Sequence, residues 1–357
     1  MKTKYVLLTA ARNEESLISQ TIESVIAQTI LPQKWIIIND NSTDDTEGMI
    51  RHYVQRYSFI HPFNYHGNVQ RNFGGKVRAL QAGFNELQAV DYDFIGILDA
   101  DISLPPNYYE SLLSKLREDP QLGLVGGYIY EAHNGVFKSR PFNRRHSVPA
   151  GIQLFRRACY EQLGGHLPLP YGGEDWHAEV TARMHGWKVS SFPELPAYHH
   201  RLTATAEGIL RGRFRQGRMA YSLGAHPLWA IMRSILRLGE KPYVLGAFCR
   251  IAGYLWSMVK REKRLVSQAF IKYFRAEETQ IARDRLSEIM TQIRSIFHFG
   301  RPATKIHVSI VEPKRKVQSF QQIGSLIRFA LQGLQSMQLE SGLFCVEKLK
   351  DEPLPRG

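Results

Sequence analysis

Three short apolar runs restrict this chain more than any other feature. They are Lys4-Tyr5-Val6-Leu7-Leu8-Thr9, Trp35-Ile36-Ile37-Ile38-Asn39 and Phe94-Ile95-Gly96-Ile97-Leu98. Each is brief, rich in branched residues and almost uncharged, which predicts a buried strand. Each then breaks into a polar cluster: Ala10-Ala11-Arg12-Asn13-Glu14-Glu15, Asp40-Asn41-Ser42-Thr43-Asp44-Asp45 and Asp99-Ala100-Asp101. Helical spacing follows the first two, through Leu17, Ile18, Ile22, Val25 and Ile26, and then Met49, Ile50, Tyr53 and Val54. Strand, loop and helix repeated in this way predict an α/β fold, a mostly parallel sheet flanked by helices. All three polar clusters then fall on the carboxyl edge of the sheet, where open α/β folds bind ligands.

The chemistry at that edge follows from residue type. Asp99 and Asp101 flank one small residue where a strand ends, so the turning backbone lets both lean toward one hard cation. Mg²⁺ or Mn²⁺ bridging a diphosphate suits such a pair, although aspartates also cap strands and helices without further use. Asn72-Phe73-Gly74-Gly75-Lys76 opens a helix, and Lys76 near its start is suited to a phosphate. The spacing is not that of a Walker loop. Tyr171-Gly172-Gly173-Glu174-Asp175 is a second acidic loop before a helix from Trp176 to about His185. It suits either a helix cap with its dipole partner or a carboxylate held as a general base.

Charge divides the chain. Residues 1–200 carry 19 Lys and Arg against 21 Asp and Glu, whereas residues 201–264 carry 13 against 3. The net charge of +13 therefore resides in the chain beyond the first domain. A basic block of this kind draws phosphates, of nucleic acid or of an anionic membrane. Nucleic acid fits poorly, because no basic sheet with interleaved aromatics and no reading helix is evident. Met219–Met232 and Pro242–Val259 are apolar, but the first contains a proline and the second has Arg250 near its middle. Both fall short of the roughly 20 apolar residues of a membrane span. With Lys260-Arg261-Glu262-Lys263-Arg264 beside them, they suit a segment lying on an anionic membrane surface, with buried core helices as the alternative. Three scattered cysteines, Cys159, Cys249 and Cys345, and no evident signal peptide predict a reducing compartment. Beyond residue 265 the sequence predicts helices near 277–296 and 323–334 and a strand at 306–311, with no motif attached. The expected division is thus 1–200, 201–264 and 265–357.

Taken in order, the motifs resemble those of family 2 glycosyltransferases, inverting enzymes of the GT-A fold. Thr9 to Glu14 resembles the family's opening strand and loop, with Ala10 where proline is usual. Asn39 to Asp44 resembles its second acidic segment, Asn72 to Gly83 its glycine-led helix, Asp99-Ala100-Asp101 its D-x-D, and Gly173-Glu174-Asp175 its acceptor-side loop. The resemblance covers about residues 1–200. It implies that Thr9, Ala11, Arg12, Glu14, Asp40, Ser42, Lys76, Asp99 and Ala100 bind the nucleotide. It implies that Asp101 ligates a divalent metal, Mn²⁺ or Mg²⁺, with His200 from Tyr198-His199-His200-Arg201 completing the shell. Asp175 would be the base and Glu174 would orient the acceptor. Arg213 and Arg218 resemble a basic stretch that follows the catalytic domain in many members, and with Trp176 they would face acceptor or phosphate. The stretch departs from the motif of processive synthases, which argues against processive polymerisation. The resemblance therefore implies a nucleotide-diphosphate sugar donor and a glycan or lipid-linked acceptor, at the cytoplasmic face of the plasma membrane. A non-catalytic nucleotide-sugar binder on the same fold is the alternative, and it would have no use for Asp175.

Overall fold

The computed structural model describes residues 3–67, 73–133, 135–141, 143–201 and 208–298. In chain order the elements begin β1 (Tyr5–Ala11), α1 (Ile18–Ile26), β2 (Lys34–Asp40), α2 (Thr46–Val54), β3 (Ile60–Tyr65), α3 (Phe73–Asn85) and β4 (Phe94–Leu98). Next come β5 (Ile102–Ser103), α4 (Tyr108–Glu118), β6 (Leu122–His133), β7 (Val136–Ser139), β8 (Ile152–Arg156), α5 (Arg157–Leu163), α6 (Glu174–Met184) and β9 (Lys188–His199). Helices α7 (Ile209–Ser222), α8 (Pro227–Ile235), α9 (Tyr243–Val259) and α10 (Gln268–His298) complete the described chain. The sequence expectations at 306–311 and 323–334, with Asn72 and Cys345, lie outside the described residues.

The strands form one sheet in the order β3-β2-β1-β4-β8-β6-β9-β5, with β7 on β6. From β1 the chain steps outward to β2 and β3, then crosses back to lay β4 on the other flank of β1. That reversal between β1 and β4 is a topological switch point, and it opens a crevice beyond the strands' carboxyl ends. Period-two alternation splits the core. Tyr5, Leu7, Trp35 and Ile37 pack toward α1, α2 and α4, whereas Val6, Leu8, Ile36 and Ile38 pack toward α3, α5 and α6. Both faces being covered is why these runs carry no polar alternation.

Beyond β4 the sheet is less parallel than the sequence predicts. Strand β8 runs antiparallel to both β4 and β6, and β5 runs antiparallel to β9. The short or exposed strands escaped prediction for physical reasons. Strand β3 lies at the sheet edge with His61 and Pro62 exposed, where a missing N–H is harmless. Strand β7 is exposed throughout, and β5 has two residues.

The helices after residue 208 share a third core. Tyr221, Leu223, Tyr254, Val266, Phe270, Ile271 and Phe274 pack with Leu169 and Val180 of the sheet domain. This cluster crosses the expected division at 264 and docks on α6. Arg250, the charge within the apolar α9, is 6% exposed and pairs with Glu240 at 2.5 Å and Gln216 at 3.0 Å. Helices α7 and α9 touch backbone to backbone: a Cβ on Gly217 would lie 1.9 Å from the Arg250 carbonyl oxygen, and one on Gly253 2.0 Å from that of Phe214.

The irregular stretch before β8 is tied down by one buried carboxylate. Glu179 of α6 accepts the Val148 N–H at 2.6 Å and the Ser147 hydroxyl at 3.0 Å. Burial, helped by the nearby Asp175 charge, pushes its pKa up to about 8. A raised pKa means that the folded state holds the proton, so this stability is full below 4.5 and lost as pH rises toward 8. Glu179→Gln keeps an acceptor and is expected to flatten the fall of Tm over that window. Glu179→Ala strands a buried N–H and is expected to cost roughly 1–3 kcal/mol in chemical denaturation.

Candidate active site

The first two polar loops are laced together by their own side chains. Asn13 adopts a left-handed φ of 56° and accepts the Thr43 N–H at 2.8 Å, while its own N–H donates to Ser42 Oγ at 3.1 Å. Glu15 accepts from the Asp45 N–H at 2.8 Å, and Asp44 accepts from the Glu15 N–H at 3.2 Å. The Glu14 N–H donates to Thr46 Oγ1 at 2.8 Å. Polar residues that read as generic loop are therefore reciprocal caps holding one wall of the crevice. On that wall Arg12 lies 3.8 Å from Asp40. Burial raises the Asp40 pKa, against the opposing charges of Arg12 and Arg78.

The second wall is built where β5 meets β9. Ile102 pairs with His199 and Ser103 with Tyr198, and the His200 N–H donates to the Asp101 carbonyl at 3.0 Å. This register sets His199 Nε2 3.2 Å from Asp101 Oδ2, and its Nδ1 3.8 Å from Glu131. His199 Nδ1 is buried without a hydrogen-bond partner. Arg201 comes next, donating to Glu14 at 2.5 Å with its Nε 3.9 Å from Asp101. Burial alone would raise the Asp101 pKa; the His199 hydrogen bond and the charges of His199, Arg201 and Lys76 bring it below the ordinary value. Glu14 goes the other way, pushed up to about 7 by burial and the Asp101 charge.

The third wall is the start of α6. Gly172 and Gly173 turn the chain with φ of 82° and 92°, and Glu174-Asp175 forms the first helical turn. Both carboxyls are pushed upward, first by burial; Glu174 also feels the charge of Asp175. Asp175 accepts the Trp176 N–H at 2.8 Å, which opposes its rise. Lys76 reaches across to ion-pair with Asp99 and feels the charges of Glu174 and Asp101. Gly151 makes this packing possible, since a Cβ there would lie 2.7 Å from Asp99 Oδ2.

Several expected residues sit differently from their sequence reading. The imidazole at the Asp101 carboxylate belongs to His199; His200 Nε2 is 2.8 Å from Ser103 Oγ, turned there by the strand pairing. Thr9 is fully buried and its hydroxyl accepts from Trp35 Nε1 at 3.0 Å, so its side chain belongs to the sheet. Ala11 and Ala100 are also buried, leaving only backbone for a ligand. Trp176 stacks edge-on to Phe274 at 5.2 Å beneath the Arg233 guanidinium, and so packs into the helical core. Arg213 pairs with Glu240 at 3.3 Å. Arg218 ion-pairs with Glu262 and lies 4.1 Å over the Tyr171 ring, while Arg215 donates to the Tyr171 carbonyl at 3.0 Å. These arginines brace the loop that carries Glu174 and Asp175. Sequence reasoning assigns no site role to Asn13, Asp44, Glu131, His199 or Arg201. His199 and Arg201 lie within the Tyr198-His199-His200-Arg201 segment, but only the register of β5 on β9 distinguishes them.

Residues 7–168 match the family model described as Glycosyl transferase family 2. The chain is 32% identical over 120 residues to the poly-beta-1,6-N-acetyl-D-glucosamine synthase of Staphylococcus aureus (strain COL), covering 34% of this chain and 27% of that one. It is 25% identical over 248 residues to EpsH of Bacillus subtilis (strain 168), whose glycosyltransferase activity is itself an assignment; 61% of this chain and 67% of EpsH are covered. The chain thus spans about a quarter of the synthase's length and two thirds of EpsH's. The crystal structure of GalNAc-T7 with UDP, GalNAc and Mn²⁺ is similar in fold, with a TM-score of 0.50 at 15% identity over 72% of this chain and 56% of that chain. The ordered motifs, the GT-A-type sheet that gathers them and the matched model agree: residues 7–168 carry a glycosyl transferase family 2 domain.

Proposed function

We propose that this protein transfers a sugar from a nucleotide-diphosphate donor to an acceptor hydroxyl with inversion, Asp175 serving as the base. The observation that carries this reading is the division of the crevice's carboxylates. Asp101 is held ionised by His199, Arg201 and Lys76, while Glu174 and Asp175 are driven toward higher pKa by burial. An inverting displacement asks for that division: fixed charge at the departing diphosphate and, elsewhere, a carboxylate of raised proton affinity to take the hydroxyl's proton.

Arg12 and Asp40 would flank the nucleoside, with Ser42 bracing that loop. Lys76, released from Asp99, and Arg201 would meet the diphosphate as cations. Glu174 would hold the acceptor hydroxyl beside Asp175. The residues at the D-x-D fit a divalent ion. Among the described residues no three His, Cys, Asp or Glu side chains form a cluster, but Asp101 Oδ2 and His199 Nε2 lie 3.2 Å apart, with the imidazole's other nitrogen unpartnered. A carboxylate with an imidazole suits Mn²⁺ or Mg²⁺ that takes its remaining ligands from substrate oxygens. When bound there, the ion would neutralise charge on the leaving diphosphate. The acceptor in this reading is a lipid-linked or cell-surface glycan precursor, met at the cytoplasmic face of the plasma membrane.

Purified protein tested for hydrolysis of UDP-, GDP- and dTDP-sugars with Mn²⁺ or Mg²⁺ is expected to select one nucleotide. Asp101→Ala should abolish metal-dependent turnover, and turnover that survives it would overturn the metal assignment. Asp175→Asn preserves shape and should lower sugar transfer to a hydroxyl acceptor by about 10²–10⁴-fold with donor affinity unchanged. Donor binding by calorimetry with no transfer to any hydroxyl acceptor would favour the non-catalytic binder. His199→Ala should weaken Mn²⁺ binding more than His200→Ala does; the reverse order would return the ligand role to His200.

A further inference from the structure

Helix α9 is amphipathic in the reverse of the usual sense. Its inward face is mostly small or polar: Gly246, Ala247, Arg250, Gly253 and Ser257 are buried against α7 and its neighbours, with Tyr254 the one large side chain among them. Its outward face is apolar. Val244, Leu245, Phe248, Leu255, Trp256 and Val259 are exposed by 53%, 53%, 65%, 39%, 51% and 76%. Their spacing follows one helical stripe, and the 17 residues of α9 extend it to about 25 Å. The one charged residue of the helix, Arg250, points inward. Leu236, at the close of α8, and Leu265, in the chain after α9, are also 69% and 48% exposed. Isolated exposed apolar residues are ordinary, but a continuous stripe on a fixed helix marks a surface that meets something apolar.

The ends of the stripe indicate an anionic apolar partner. Lys241 precedes it and Lys260, Arg261 and Lys263 come after it, all exposed. Lys260 Nζ lies 5.2 Å over the Trp256 ring, and Tyr243 stands exposed at the other end. Cations and amphipathic aromatics bracketing an apolar stripe are the arrangement of a helix lying in an anionic membrane interface. No described helix is long and apolar enough to cross a membrane, which leaves the in-plane orientation for α9. We infer that α9 seats in the surface of an anionic bilayer through Val244, Leu245, Phe248, Leu255, Trp256 and Val259. The backbone contact at Gly217 and Gly253 fixes its pose. Met219 and Leu223 of α7 pack at Gly173, so one helix separates the bilayer face from the Glu174-Asp175 loop.

This deepens the membrane-facing part of the proposed function and rests on it only for the nature of the acceptor. The test is flotation of the full chain with phosphatidylcholine vesicles with and without phosphatidylglycerol, beside a Phe248→Gln, Trp256→Gln double variant. Wild type is expected to float with anionic vesicles and less with neutral ones. The double variant, which alters exposed residues only, should bind about tenfold or more weakly. It should keep its circular dichroism and its hydrolysis of soluble donor. Failure of wild type to bind anionic vesicles, or equal binding by the variant, overturns the inference. So does a stable dimer that the variant dissociates, because a second copy would then cover the stripe. Vesicle binding is read without substrate, so a chain that floats but turns over no donor would sink the transferase reading alone.

Discussion

The site depends on the short antiparallel pairing of β5 with β9. Two residues of strand directly after the D-x-D accept the end of a strand from near the close of the domain. Through that ladder His199 reaches Asp101 and Arg201 reaches Glu14, so the buried carboxylates take their partners from the far end of the domain. Without it, Glu14 and Asp101 would repel in a desolvated crevice with few cations to answer them. The switch point between β1 and β4 provides the opening, but the β5–β9 pairing sets its charge.

Much of the fold was legible because buried parallel strands advertise themselves. Uninterrupted runs such as Trp35 to Ile38 have few other stable uses, and their polar ends align once the strands are parallel. Glu174-Asp175 was legible as an acidic pair opening a helix, but nothing in the sequence shows that Lys76, Ala150 and Trp176 surround it. The rest lay hidden for definite reasons. Strand β3 carries Pro62 at an edge, where pattern gives no signal. The choice between adjacent histidines turns on strand register, a tertiary property. Thr9 carried a family role in sequence, but the indole of Trp35 claims its hydroxyl.

Composition was a weaker guide than placement. The basic block after residue 201 suggested a free cationic surface. Much of it is spent internally: Arg213 and Arg250 on Glu240, Arg218 on Glu262, Arg233 on Glu278. Buried pairs of this kind add little net stability over apolar packing, but loss of either partner strands a charge. Their evident effect is geometric. Arg215 and Arg218 grip Tyr171, the residue before the glycine turn that presents the acidic loop, so helical and sheet domains share responsibility for one site. Lys241, Lys260, Arg261 and Lys263, by contrast, are left exposed at the ends of α9.

The distance in sequence between Glu14 and Arg201, 187 residues, has a consequence for how the protein is made. During synthesis from the amino terminus, the D-x-D emerges and its strand can pair long before either His199 or Arg201 exists. Until residue 201 has left the ribosome, Glu14 and Asp101 lack their Arg201 and His199 partners and β5 stays unpaired. A ribosome stalled before that point therefore displays most of the sheet while the wall built by β5 and β9 is still missing.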